Sequence, residues 1–234
     1  MVTNVVYDFH AHSSFSDGEL SPMELVRRAL VQGYRAIAVT DHVSLGELSR
    51  VIPETVEICA FARSHWDILA IPGIELTHTP PGAIAEAARR AKDLGAWIVV
   101  VHGETIVEPV EEGTNLAALY SPDVDILAHP GLITPDEANI AAASGIFLEI
   151  SARAGHCLTN GYVASIARKH GARLLVDSDA HRVKDLLTAS LAAAICRGAG
   201  LESEVCRQTL TENPQALIKK LPGANPSSHH ETGG

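Results

Sequence analysis

Short unbroken apolar runs alternate along this chain with stretches whose apolar residues fall three and four apart. The runs read as strands buried on both faces, and the spaced stretches as helices with one apolar stripe. The strand-like runs are 5–9, 36–40, 68–71 continued by 74–76 across Pro72-Gly73, 97–101, 125–128, 146–150 and 173–176. Ser21-Pro22-Met23-Glu24 opens the first helix with a capping serine, a proline at the first helical position and a glutamate three residues after the cap. Leu25, Ala29 and Leu30 continue it to Gly33. A second helix is expected after Pro53, through Val56, Ala60 and Phe61, and a third over 81–94, with Ile84, Ala87, Ala88 and Ala91 on one face. Thr134-Pro135-Asp136-Glu137 repeats the capping pattern; further helices are expected over 161–170, 185–197 and 202–211. Residues 105–123 read as a long connection.

Strand-then-helix alternation of this kind predicts a parallel sheet covered by helices. The chemistry at the run ends selects a barrel. Asp8-Phe9-His10-Ala11-His12, Thr40-Asp41-His42, Gly73-Ile74-Glu75, Val101-His102, Ala128-His129-Pro130 and Asp177-Ser178-Asp179-Ala180-His181 all fall where an apolar run stops. Parallel strands in a barrel gather their carboxyl ends on one rim, so these residues would share a site. An open sheet would concentrate them at a single switch point. Imidazole and carboxylate together suit Zn, Mn or Fe.

Composition narrows the reading. Apolar residues make up 46% of 234, enough for one substantial core, and with aromatics at 4% that core is aliphatic. Residues 1–221 read as one domain and the Pro-, Gly- and Ser-containing stretch 222–234 as a disordered tail, with His229 and His230 solvated. A net charge of −10 disfavours a nucleic-acid surface without excluding nuclease chemistry, because bound cations would reverse the local field. Cys59, Cys157, Cys196 and Cys206 lack paired spacing and read as reduced thiols of a cytoplasmic protein. No apolar run reaches the roughly 20 residues of a membrane span, and the opening residues do not read as a signal peptide.

The ordered series His10-x-His12, Ser16-Asp17-Gly18, Thr40-Asp41-His42, Gly73-Ile74-Glu75, His102, His129-Pro130 and Asp179-Ala180-His181 resembles the polymerase and histidinol phosphatase (PHP) family, from Val5 to about Leu217. The resemblance implies a distorted barrel of seven βα units, two or three divalent metals (Zn, Mn or Fe) and phosphoester hydrolysis. It implies that His10, His12, Glu75 and Asp179 hold one metal. Glu75, His102 and His129 hold a second, with Glu75 bridging, and Asp17, His42 and His181 hold a third. The aspartate at position 17 stands where some family members carry histidine, so a two-metal state is an alternative.

The expected activity is hydrolysis of a small phosphomonoester, histidinol phosphate being one candidate, by a hydroxide shared between metals. Arg153, just past the sixth run, would grip phosphate or else form a surface salt bridge, and His156 would either protonate the leaving oxygen or hydrogen-bond within its Gly-rich loop. Asp41 is expected to orient a neighbouring imidazole. Asp8 and Asp177 either do the same or accept backbone donors; Glu104 either lines the pocket or pairs with a base. His65, His78 and His170 read as surface or structural residues. The expected partner is a small phosphorylated metabolite. Rival readings are an exonuclease or phosphodiesterase on short oligonucleotides, an amidohydrolase-like enzyme, and a metal-binding regulatory module without turnover. The amidohydrolase reading is weakened because no lysine at a strand end could form a bridging carbamate.

Overall fold

The computed structural model describes residues 5–223. Its strands are β1 (Val6–Asp8), β2 (Tyr34–Val39), β3 (His42–Val43), β4 (Leu69–Leu76), β5 (Ile98–His102), β6 (Ile126–Ala128), β7 (Phe147–Ser151) and β8 (Leu174–Asp177). They pair in parallel in the order β1-β2-β4-β5-β6-β7-β8, with β3 lying on β4 just beyond β2. The result is a nearly closed barrel of seven strand positions, as the alternation predicted.

Helices α1 (Pro22–Val31), α2 (Leu48–His65), α3 (Pro81–Asp93), α4 (Thr114–Tyr120), α5 (Pro135–Ser144), α6 (Asn160–His170), α7 (Ala189–Gly198), α8 (Ser203–Arg207) and α9 (Asn213–Ile218) connect or follow the strands. Ser21 and Thr134 cap α1 and α5, the latter through a complete capping box with Glu137. In α3, Ile84, Ala87, Ala88 and Ala91 are the buried face.

Some expectations are corrected. Helix α2 starts five residues before Pro53, which sits inside it; a proline there removes one ladder hydrogen bond without ending the helix. Helix α4 interrupts the expected long connection. The stretch 185–197 is split into a short 3₁₀ turn, Val183–Asp185, and α7. Strand β4 runs unbroken through Pro72-Gly73, changing its neighbour from β2 to β3 as it does so. A Cβ on Gly73 would lie 2.9 Å from Thr40 Cγ2 and 3.0 Å from the Ile98 carbonyl oxygen, so only glycine fits that crossing. The tail expected from Pro222 falls, from residue 224 on, outside the described residues, as do His229 and His230.

Two apolar clusters hold the structure. One joins the outer strand faces to the helices. The other fills the barrel with Phe9, Ile71, Ile98, Ile126 and Phe147, together with Leu217 and Leu221 from the C-terminal segment. Aliphatic side chains dominate both, as the composition required.

The seam between β1 and β8 has no regular ladder among the described residues. Asp177 Oδ1 accepts the Phe9 N–H at 2.6 Å, and Asp8 Oδ1 accepts the Ser178 N–H at 3.0 Å. Beyond them the backbones meet: the Asp179 N–H donates to the His10 carbonyl at 2.9 Å and the His12 N–H to the Ala180 carbonyl at 2.8 Å. Of the two roles open to Asp8 and Asp177, the structure shows the backbone-accepting one.

Candidate metal centre

Strand register and the segments just past the strands bring the marked residues together. β3 lies beside β4 with His42 opposite Glu75, and His42 Nδ1 is 2.6 Å from Glu75 Oε2. His102 closes β5, with Nδ1 3.2 Å from Glu75 Oε1. His10 and His12 lie past β1 on the seam rather than in the strand, their Nε2 atoms 3.1 Å apart. His129 and Asp179 follow β6 and β8 with φ of 28° and 50°. This left-handed backbone costs non-glycine residues on the order of 1–3 kcal/mol, and such strain concentrates at functional sites.

Glu75 is the hub. Besides His42 and His102, its carboxylate lies 3.3 Å from His10 Nε2, 3.8 Å from His12 Nε2 and 3.7 Å from His129 Nε2. Asp179 forms a second pole, 3.2 Å from His12 Nε2, 3.8 Å from His129 Nε2 and 3.5 Å from His181 Nδ1. Asp17, on the exposed side, stands 3.1 Å from His181 Nε2 and 3.6 Å from His42 Nε2. Donor atoms spaced closely enough to share an ion come from His12, Asp17, His42 and His181; from His10, His129 and Glu149; from His10, His12 and Asp179; from His42, Glu75 and His102; and from His129, His156 and Asp179.

Electrostatics pull these groups apart. Burial pushes the Glu75 carboxyl up, yet His10, His42 and His102 outweigh it and hold Glu75 well below the usual carboxylate range. Burial lowers His10, but Glu75, Glu149 and Asp179 raise it well above an ordinary imidazole. His12 and His129 go the other way: burial and neighbouring imidazoles keep both well below it. These two rings are therefore neutral ligand-type donors.

Whether cations suit the site is tested by its orphaned atoms. Both ring nitrogens of His129 are buried and lack a hydrogen-bond partner, as does His12 Nδ1. Buried polar nitrogens without partners are costly. A divalent cation would satisfy those that face the cluster, and the mixture of imidazole and carboxylate is the donor set such an ion takes. The residues fit a site for more than one metal ion.

Arg153 and His156 also face the cluster. Arg153 Nη1 donates to His181 Nδ1 at 2.7 Å, and its Nε is 3.6 Å from Asp179 Oδ2. His156 is buried and stacks on His129 at 4.0 Å between ring centroids; its Nδ1 meets Thr105 Oγ1 at 2.8 Å and its Nε2 lies 3.8 Å from Asp179.

Other residues lie elsewhere than expected. Among the described residues Asp41 has no imidazole partner. It accepts from the backbone and hydroxyl of Ser13 and Ser16, which shapes the turn between His12 and Asp17. Glu104 caps α4, accepting from the N–H groups of Gly113 and Asn115. His65, His78 and His170 are not among the grouped donors, although the His78 ring comes within 5.9 Å of His102.

Two acids went unmarked in the sequence. Glu149 is fully buried with Oε2 2.6 Å from His10 Nδ1; an acid in the middle of an apolar strand was its available signal. Glu108 reaches in from the β5–α4 loop, 3.1 Å from His102 Nε2 and 3.4 Å from His156 Nε2. Nothing local separates it from the other acids of that loop.

Comparison with known proteins accords with this geometry. An uncharacterized protein of Methanocaldococcus jannaschii is 50% identical over 216 residues, covering 92% of this chain and 99% of that protein. Ribonuclease P protein component 3 of Methanosarcina barkeri is 28% identical over 233 residues, covering 92% of this chain and 89% of its own. Among solved structures, a chain of archaeal ribonuclease P with mature tRNA matches with a TM-score of 0.65 over 89% of both chains; at 13% identity the likeness is one of fold. No described helix is long and apolar enough to cross a membrane. The PHP domain model matches residues 8–203, a span that contains every residue of the donor cluster, and the chain belongs to the PHP domain family.

Proposed function

We propose that this protein is a metal-dependent phosphoesterase whose substrate is a small phosphomonoester, with histidinol phosphate among the candidates. The observation that carries the reading is Glu75, a buried carboxylate with five imidazoles within 3.8 Å of it. His10, His12, Glu75 and Asp179, then Glu75, His102 and His129, then Asp17, His42 and His181 would hold the ions. Divalent cations there, Zn, Mn or Fe, would supply Lewis acidity toward phosphoryl oxygen and make an attacking water more acidic.

The chain's own groups supply the rest. Glu75 would bring negative charge to the centre of the site and so offset repulsion between bound cations. Glu149 Oε2, 2.6 Å from His10 Nδ1, would hold a proton on that nitrogen and so leave Nε2 to face a bound cation. The Arg153 guanidinium, at the edge of the cluster, offers paired donors to a phosphoryl group. If Thr105 Oγ1 donates to His156 Nδ1, the ring proton is left on Nε2, from which it would pass to a leaving alkoxide.

A second reading is favoured by the likeness to ribonuclease P protein component 3 along 92% of this chain: a protein acting in an RNA-containing assembly, or a nuclease. Metal-loaded protein assayed with p-nitrophenyl phosphate, its bis ester, histidinol phosphate and short RNA separates the readings. Turnover of monoesters well above diesters supports the proposal. Full metal content with turnover of diesters or RNA alone, or of nothing, overturns it.

A further inference from the structure

The β5–α4 loop carries a carboxylate to the place where the proposed reaction needs a leaving oxygen. Glu108 Oε1 lies 3.4 Å from His156 Nε2, the nitrogen assigned to the leaving group, and its Oε2 lies 3.1 Å from His102 Nε2. A neutral imidazole has one N–H to give. With Thr105 Oγ1 against Nδ1 at 2.8 Å, Nε2 is the nitrogen left to His156, and Glu108 stands before it. His156 cannot serve Glu108 and a leaving oxygen at once.

Glu108 is loosely held for an acid in that position. The two imidazoles it touches are 3% exposed, whereas Glu108 is 40% exposed. Its ion-pair contacts among the described residues are with these two rings alone. His102 Nε2 has no hydrogen-bond partner, so the carboxylate touches it off axis. Nor is Glu108 placed as a ligand: it falls outside every group of donors close enough to share an ion.

The segment behind Glu108 is poised to move. The N–H groups of Ile106, Val107 and Glu108 find no acceptor among the described residues, and the Ile106 and Val107 side chains are exposed. The flanks are anchored. Glu104 accepts from Gly113 and Asn115, and a Cβ on Gly131 would lie 1.9 Å from the Glu104 carbonyl oxygen, so that end of the loop is clamped to the segment after β6. A short span with few hydrogen bonds between fixed ends opens at low cost.

We propose that Glu108 is a self-inhibitory latch. Its carboxylate occupies the His102–His156 edge of the site in place of substrate, and an incoming phosphate ester displaces it as residues 106–110 swing outward. This rests on the phosphoesterase reading and adds an opening step to it.

The experiment measures binding of inorganic phosphate, the expected product, by equilibrium dialysis with metal-loaded wild type, Glu108→Ala, Glu108→Gln and Glu112→Gln. Glu112 is an exposed acid of the same loop outside the donor cluster, and its variant controls for loss of a charge alone. Glu108→Ala should bind phosphate about tenfold or more tightly than wild type, the scale of one charge removed at close range. The uncharged but equally bulky Glu108→Gln should fall between them, and Glu112→Gln should change affinity by less than about twofold, its charge being screened by solvent. Limited digestion by elastase, which cuts after residues such as Val107, reads the opening itself. Phosphate should speed cleavage of the wild-type loop, and Glu108→Ala should be cut at the faster rate with or without it.

Equal, weaker or absent phosphate binding in Glu108→Ala, tightening matched by Glu112→Gln, loss of metal from Glu108→Ala, or protection of the wild-type loop by phosphate overturns the latch. None of these readouts needs turnover. Monoester hydrolysis with unaltered phosphate affinity in Glu108→Ala removes the latch and leaves the phosphoesterase reading. Tightened phosphate binding without hydrolysis of any monoester keeps the latch and removes that reading.

Discussion

Glu149 and His10 face each other inside the barrel wall, Oε2 to Nδ1 at 2.6 Å, both fully buried. A carboxylate on the far nitrogen of a ligating imidazole fixes its tautomer and strengthens it as a donor. Glu149→Ala is therefore expected to lower metal affinity by about 10- to 100-fold. Glu149→Gln, which keeps an acceptor but not the charge, should fall between it and wild type. Calorimetric metal titration checks this, and wild-type affinity in Glu149→Ala would show that the contact is only structural.

Removing metal should also weaken the fold. The cluster concentrates buried imidazoles and carboxylates that lack full hydrogen bonding, and an ion bound only to the folded state stabilises it by mass action. At free metal a hundredfold above the dissociation constant the gain is about 2.7 kcal/mol per site. Urea unfolding with added Mn or Zn, against chelated protein, should show midpoints rising with metal concentration. In Glu75→Gln that dependence should be strongly reduced; an unchanged dependence would move the ions elsewhere.

Arg153 sits at the edge of the cluster, a third exposed, with donors turned toward His181 and Asp179. Arg153→Ala is expected to raise KM for phosphate esters by about tenfold with kcat less affected, since a charge-assisted phosphate contact is lost. Steady-state kinetics on p-nitrophenyl phosphate test it, and unchanged KM would assign Arg153 to holding His181 alone.

At the opposite end of β6, Asp125 accepts from Lys92 Nζ at 2.6 Å and from the Val99 N–H at 2.9 Å. Burial outweighs these partners and raises its carboxyl above the usual value. The ionised form is thus the one the fold disfavours. Its penalty is present above the raised value, falls as pH drops through it, and is gone below the ordinary carboxylate value. Asp125→Asn should flatten the change in urea midpoint between neutral and mildly acidic pH relative to wild type. An identical change in both proteins would refute the assignment.

The fold was legible because strand runs and helix stripes are local patterns. All four apolar residues marked on α3 are its buried face, and Thr134 with Glu137 forms the expected cap. Helix α4 escaped because its N-terminal donors are satisfied by Glu104, about ten residues upstream, not by a residue at its own start. The donors of the cluster were readable as residue types at run ends. What they touch was not: Asp41 turns to two serines, and Glu108 enters from a loop whose path depends on tertiary packing.

The junction of first and last strands gives the barrel an unusual dependency. Two carboxylates, Asp8 and Asp177, bridge it, and just beyond them the His10 and Asp179 backbones join. Closing the cylinder and bringing N-terminal and C-terminal donors within reach of one another are consequently a single event. A chain lacking its final strand would forfeit Asp179 and His181 along with the wall, so the chemistry can be assembled only when the last βα unit has docked.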